Sequence, residues 1–422
     1  MGSFQLIVAE VPVGAIFDLV AVRTHPATAN DDERFASIFQ IMSVWRSMIV
    51  PPLRMLVQPL RRHWARRHSR YFFSERWPFE RSGDATFWDC RAVRLSGAQI
   101  DFSKGTLDLN DGAPGSGVVL ETGFLQVPRP PDAVPVLPLH LAVWLRSLAR
   151  KSNGVLSGHH TLGVAVCRYE ERNLFHAMTE VYNTWLLLRF LSLPPEEATI
   201  LMVDDRPPSP MDGWFRTLFR SQKHARAMVG IHSFGTLLLG LPGYQSPLHP
   251  RHQLTDHGAA DFCRYVLGRF GVEERRSGNV GEILIVSRPP VDACGRRLGR
   301  RIANEAGLVE AVQQVFPFAR VEAVDLESLG LREQLERIAK TDLLIGMHGA
   351  GLTHALFLPV GSRVLELFPK FLSPTNDHYR NICLWRKLTY QRWQNLDSNR
   401  ELDARSTAVD LVAVRRRLES LR

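Results

Sequence analysis

The stretch that most restricts how this chain can fold is residues 345–368, IGMHGAGLTHALFLPVGSRVLELF. An apolar run, Leu343-Leu344-Ile345, stops at Gly346-Met347-His348-Gly349-Ala350-Gly351. A short helical segment runs to Leu358, Pro359 and Gly361 mark a turn, and a second apolar run begins at Val364. Strand, glycine-rich turn, helix start, turn and strand make a βαβ unit, which demands a parallel sheet. In such a unit the free N–H groups of the turn and the positive end of the helix face a common edge, a setting suited to phosphate. Glycines let a bulky anion approach the main chain. His348 and His354 bracket the turn and can donate to phosphate oxygens. A ligand-free βα turn uses the same glycines, so the surrounding chain has to decide between the two.

The second half of the chain repeats this alternation. Strands are predicted over 282–287, 320–325 and 342–346, with helices over 304–316 and 332–340. Helices of about a dozen residues between apolar strands read as a doubly wound α/β sheet. Right-handed crossovers then bring Ser287-Arg288 and His348-Gly349 to one crevice. The first half is less regular. Residues 85–136 read as short extended pieces, 128–138 as a proline-rich loop, and 162–166 and 199–203 as buried strands. A long helix starts at a capping Asn173, with Leu174, Met178, Val181, Trp185 and Leu188 on one stripe. Residues 206–260 are rich in Pro, Gly and His, 261–270 reads as helix, and 273–279 as a polar connector. With 422 residues, the chain is too long for a single core. The predicted division is a poorly readable basic region at 1–84, a domain at 85–275, a second at 280–398, and a C-terminal helix at 399–422.

Composition excludes little. Apolar content of 45% and charged content of 23% are ordinary for a globular protein. Much of the net charge of +9 gathers at Arg54, Arg61, Arg62, Arg66, Arg67 and Arg70. Such a cluster can bind nucleic acid or an acidic membrane surface, but no nucleic-acid fold motif accompanies it, so no nucleic-acid partner is expected. The five cysteines, Cys90, Cys167, Cys263, Cys294 and Cys383, form no CxxC pair and suggest no zinc site. Glu10, Pro12 and Asp18 interrupt the apolar stretch near the start, which fits neither a signal peptide nor a spanning helix.

IGMHGAGLTHALFLP, preceded by QLERIAKTD, resembles glycosyltransferase family 61. NLFHAMTEVYN (173–183), ILIVSR (283–288), RRIANE (300–305) and YRNICLWRKLTYQRW (379–393) resemble further family segments in the same order. The resemblance covers roughly residues 85–395. It implies a GT-B fold of two facing Rossmann-like domains, with the nucleotide sugar in the C-terminal one. It also implies inverting transfer of xylose or GlcNAc from a UDP-sugar to a glycan or glycoprotein hydroxyl. The UDP-sugar is a co-substrate, no cofactor is permanently bound, and metal independence is expected. The implied location is the Golgi or endoplasmic reticulum lumen.

Within that reading, His348, Gly349, Ala350, Gly351, Thr353 and His354 cradle the diphosphate. Arg288 is its side-chain clamp, since Arg binds phosphate bidentately. Glu366, a carboxylate in an apolar strand, needs polar partners, and ribose hydroxyls would serve. His176 and Glu180 share a helix face. Either can take the acceptor proton, or Glu180 can orient a His176 base; the family commonly has Asp where Glu180 stands. Asp204-Asp205 lacks Asp-x-Asp spacing and reads as a strand-end turn, not a metal site. A hydrolase reading of His348-Gly349-Ala350-Gly351 fails because the nearest serine motif, Ile231-His232-Ser233-Phe234-Gly235, lacks the first glycine and lies upstream. A nucleotide- or glycan-binding protein without turnover is the remaining alternative.

Overall fold

The computed structural model describes residues 79–82, 85–88, 92–102, 156–204, 206–239, 246–248, 258–290, 299–372, 376–403 and 406–422. The basic cluster at 54–70, the proline-rich 128–138, Cys90, Cys294 and Asp205 lie outside them. All described residues belong to one compact unit. Among them no helix is long and apolar enough to cross a membrane.

The first layer begins with β1 (Phe79–Ser82), β2 (Ala85–Trp88) and β3 (Ala92–Asp101). It continues through β4 (Leu156–Val166), α1 (Leu174–Phe190), β5 (Thr199–Met202), α2 (Asp212–Leu218), β6 (Ser221–His224), β7 (Ile231–Leu239) and α3 (Ala259–Phe270). The strands form a seven-stranded sheet ordered β1-β2-β3-β7-β4-β5-β6. Pairing is antiparallel from β1 to β7 and parallel from β7 to β6. Asn173 caps α1 as expected, its side chain accepting from the Phe175 N–H at 3.0 Å. Helix α3 ends at Gly271, whose φ of 66° is the left-handed cap that glycine adopts without strain.

The second layer runs β8 (Glu282–Val286), β9 (Arg301–Ile302), α4 (Glu305–Val315), β10 (Arg320–Val324), α5 (Leu331–Ile338), β11 (Leu343–Met347), β12 (Arg363–Phe368), α6 (His378–Trp385) and β13 (Thr389–Gln394). Its five strands, β10-β8-β11-β12-β13, are all parallel. Taken in chain order this is the 2-1-3-4-5 winding, whose direction reverses between β8 and β11. Ligands of such sheets bind at that reversal, beyond the carboxyl ends of the strands.

The tail departs from the predicted single helix. β14 (Glu401–Asp403) and β15 (Ser406–Thr407) join β9 in a small sheet, and only α7 (Leu411–Glu419) is helical. Val414 and Leu418 of α7 are buried against Leu308, Val312 and Val315 of α4. Asp410 caps it, accepting from the amides of Val412 and Ala413.

One apolar cluster is shared by the two large sheets. It unites Val164, Met178, Val181, Phe262 and Leu238 of the first with Leu284, Val286, Leu344, Leu352 and Val364 of the second. The connector between the sheets is tied down by Asp342, which accepts from the amides of Gly281 and Glu282, the Ser277 hydroxyl and Arg275.

Candidate nucleotide-sugar site

The carboxyl ends of β8 and β11 meet as the alternation required. After β11, residues Ala350–Phe357 wind into a tight 3-10 segment in place of a regular α-helix. The opening amides of such a turn have no acceptor within it. Beyond β8, Arg288 reaches across the reversal and lays its guanidinium on Gly349. A Cβ at position 349 would sit within 2.9 Å of Arg288 Cζ, so a side chain there would displace the arginine. Gly351 is similarly constrained, since a Cβ would lie 2.8 Å from Val286 Cγ1.

Arg288 donates to the Gly299 carbonyl at 3.1 Å, and among the described residues no carboxylate pairs with it. Burial, then the neighbouring Arg300 charge, pushes its pKa down to about 10, so it stays cationic at neutral pH. Among the described residues this half-buried cation, lying against Gly349 at the sheet reversal, has no carboxylate partner, and a cation so placed can attract an anion.

His348 is buried and held at both nitrogens. Its Nδ1–H donates to Glu366 Oε1 at 2.5 Å, and its Nε2 accepts from Asn376 Nδ2 at 3.1 Å. The other Glu366 oxygen accepts from the Tyr390 hydroxyl at 2.5 Å, and that hydroxyl accepts from Arg392 Nε at 2.8 Å. Arg392 goes on to Asp377 at 2.9 Å. Glu366 is fully buried. The partners its burial demanded are therefore protein groups, not the ribose hydroxyls expected from the sequence. His354 also departs from expectation. It is buried, with Nδ1 at the Gly351 carbonyl (2.9 Å) and Nε2 at Gln334 Oε1 (3.0 Å), so neither nitrogen is left for phosphate. Thr353 is fully buried too; Ala350 and Gly351 are half-buried on the open side of the turn.

The first sheet supplies the facing wall. His176 lies in the first turn of α1, 27% exposed at its side chain. Rings link it to the turn: Phe175 lies 4.5 Å from the His378 ring, which stacks 6.0 Å from His348. The structure does not bring Glu180 to His176. Glu180 is buried beneath the loop after β4, where its Oε1 accepts from the Tyr169 amide at 2.5 Å. Burial pushes its pKa well above the ordinary carboxylate value. The carboxylate facing His176 is Glu170, 3.7 Å from Nε2. Burial lowers the His176 pKa, which keeps the ring neutral. Asp204 is occupied internally: it pairs with buried Arg168, which also reaches Asp212 at 3.0 Å. Ser233 lies within β7, bonded to His159.

The sequence offered no local sign of Glu170, Asn376 or Asp377. Tyr390 and Arg392 did carry one. They alternate on β13, and Arg392 is the register partner of Glu366 across the parallel pair.

Residues 174–365 match the family described as Glycosyltransferase 61. Among curated proteins, β-1,2-xylosyltransferase RCN11 of Oryza sativa subsp. japonica is 24% identical over 327 residues, 68% of this chain and 60% of the rice protein. Protein O-linked-mannose β-1,4-N-acetylglucosaminyltransferase 2 of Xenopus tropicalis is 28% identical over 189 residues, 43% of this chain and 31% of that protein. EGF domain-specific O-linked N-acetylglucosamine transferase of Bos taurus is 38% identical over 128 residues, 30% of this chain and 23% of that protein. The chain thus spans less than two thirds of the length of these relatives.

Proposed function

The chain carries a glycosyltransferase family 61 domain, and from that premise we propose that it transfers a sugar from a UDP-sugar to a glycan or glycoprotein hydroxyl with inversion. The observation that carries the proposal is the Arg288 guanidinium resting on Gly349 at the sheet reversal. The diphosphate lies there, against the opening amides of the turn. The two sheets then act as the halves of a GT-B enzyme, the second binding the donor and the first presenting the acceptor across α1. The lumen of the secretory pathway is the proposed place of action.

In the reaction, His176 accepts the proton of the acceptor hydroxyl, and the freed oxygen attacks the anomeric carbon from the face opposite the diphosphate. The bond between that carbon and the phosphate oxygen breaks in the same displacement, and UDP leaves with both electrons of that bond. Arg288 and the turn amides stabilise the charge that develops on it. Glu170 faces His176 and stabilises the imidazolium formed. Glu180, buried, accepts from the Tyr169 amide and holds the loop beside His176. Arg288 and the turn amides are the groups this proposal gives to the leaving-group charge, in line with the metal independence that the family resemblance implies.

The test is calorimetric titration with UDP-xylose and UDP-GlcNAc, followed by transfer assays against glycan acceptors. Wild type is expected to bind at least one donor, and Arg288→Ala to bind it about tenfold to a hundredfold more weakly, the loss of a charged hydrogen-bonding clamp. His176→Ala should retain donor affinity while transfer falls about a hundredfold or more. Unaltered donor binding in Arg288→Ala would refute the proposal.

A further inference from the structure

The loop after β4 is tied down through its main chain. The Arg168 amide donates to Asp204 Oδ2 at 2.8 Å, and the Arg168 carbonyl accepts from Arg206 Nε at 3.0 Å. The Tyr169 amide donates to Glu180, and the Glu171 carbonyl accepts from the Ser209 hydroxyl at 2.5 Å. Side chains of α1 and of the segment between β5 and α2 therefore hold the loop. Buried Arg168, paired with both Asp204 and Asp212, anchors it from beneath. Opening the loop would strand those buried charges, so it keeps one conformation.

That fixed loop nevertheless leaves Tyr169 57% exposed. Its ring lies 4.7 Å from the His176 ring and is inclined to it by 52°, so the two form a corner and not a stack. Glu170, the next residue, is held by Asn173 Nδ2 at 3.2 Å and faces His176 at 3.7 Å. An aromatic ring left in water forgoes the burial that such side chains usually gain. On a fixed backbone, and with few rotors of its own to order, it is a preorganised binding surface. A pyranose has the matching shape: an apolar face of C–H groups that packs on an aromatic ring, rimmed by hydroxyls that reach polar neighbours. A serine or threonine side chain brings a hydroxyl without such a face.

We propose that Tyr169 is the platform on which the acceptor sugar stacks, so that the hydroxyl presented to His176 belongs to a pyranose ring and not to a serine or threonine. Tyr169 adds no covalent step; it decides which acceptors reach His176. The inference rests on His176 as the base of the proposed transfer, and its readout is separable from donor binding.

The experiment is saturation-transfer NMR of the full chain with the methyl glycosides of xylose, mannose, galactose and N-acetylglucosamine, and with a peptide containing serine and threonine. Wild type, Tyr169→Phe and Tyr169→Ala are compared, and UDP affinity is measured by calorimetry on the same samples. Wild type is expected to bind at least one glycoside through its ring C–H protons, and not the peptide. Tyr169→Phe should keep that affinity, because the ring face and not the hydroxyl makes the contact. Tyr169→Ala should weaken it about tenfold, the loss of one stacked ring. UDP affinity should be unchanged in both variants, whereas a merely structural role for Tyr169 would weaken glycoside and UDP together. Equal glycoside affinity in wild type and Tyr169→Ala would overturn the inference, as would equal losses in the two variants. Absence of glycoside binding by wild type would overturn it too, as would peptide binding that depends on Tyr169. Glycoside binding that depends on Tyr169 in a protein that binds no UDP would instead sink the donor-site reading and leave the saccharide platform standing.

Discussion

At the scale of single residues, the site depends on two residues that occupy neighbouring space. Arg288 lies where a Cβ of residue 349 would be, and Gly349 itself has an extended φ of 162° that any residue adopts. Gly349→Ala should therefore fold with little loss of melting temperature, while the displaced guanidinium weakens UDP binding about tenfold or more by calorimetry. Equal affinity in wild type and Gly349→Ala would show that Arg288 does not act from this position. A different residue, His354, records the cost of building the turn. Burial pushes its pKa from 6.5 to about 4, so the folded protein holds it neutral while the unfolded chain protonates it. Its contribution is complete above about pH 6.5 and is lost as pH falls toward 4, with a ceiling of about 3 kcal/mol. Denaturant titrations of wild type and His354→Gln across that window should differ in slope, the variant being flatter. Neither Glu170 nor Asn376 was legible as a site residue, because each meets its histidine only after the chain has turned, and no spacing records such a meeting. His348, Gly349 and Arg288 were legible because strand ends and glycines fix their place before any side chain is considered.

At the scale of elements, legibility followed how far the signal is local. Helix α1 was readable from its first residue because a capping side chain and an apolar stripe both lie within the segment. The strands of the second sheet were readable because helices cover both faces of a parallel sheet, leaving runs such as Leu343–Met347 apolar throughout. Strand β7 was not. Its sequence, IHSFGTLLL, mixes polar and apolar residues, and it becomes a strand through pairing with β3 on one side and β4 on the other. The predicted helix over 399–422 failed for a related reason, since Ser406 and Thr407 are claimed by β9, about a hundred residues earlier in the chain. Local signals also make the sharper predictions. Asn173→Ala should cost about 1 kcal/mol in denaturant unfolding. Because the capped turn carries His176, it should also lower transfer more than donor binding. A variant that lost stability with no change in that ratio would separate the cap from the chemistry.

At the scale of the whole molecule, the question is whether the two large sheets behave as independent bodies. Phe357 closes the turn that starts at His348, yet its ring stacks 5.9 Å from Trp214 of α2 and lies 6.3 Å from Phe262 of α3. Leu352 and Val286, beside the same turn, belong to the cluster that also contains Met178 and Val181 of α1. The glycine-rich turn is therefore packed into the first sheet's helices as well as its own sheet, and the stability of each is felt by the other. Removing the Phe357 ring leaves a cavity in that shared cluster, at a cost of about 3–5 kcal/mol. Hydrogen exchange on Phe357→Ala should then show protection falling in Thr199–Met202 of β5 and in Leu343–Met347 of β11 by similar factors. Loss confined to β11 and β12 would mean that the sheets open separately and that donor binding is uncoupled from the wall carrying His176. A joint loss would mean that a nucleotide bound at the turn also stiffens the acceptor side, since both draw on one core.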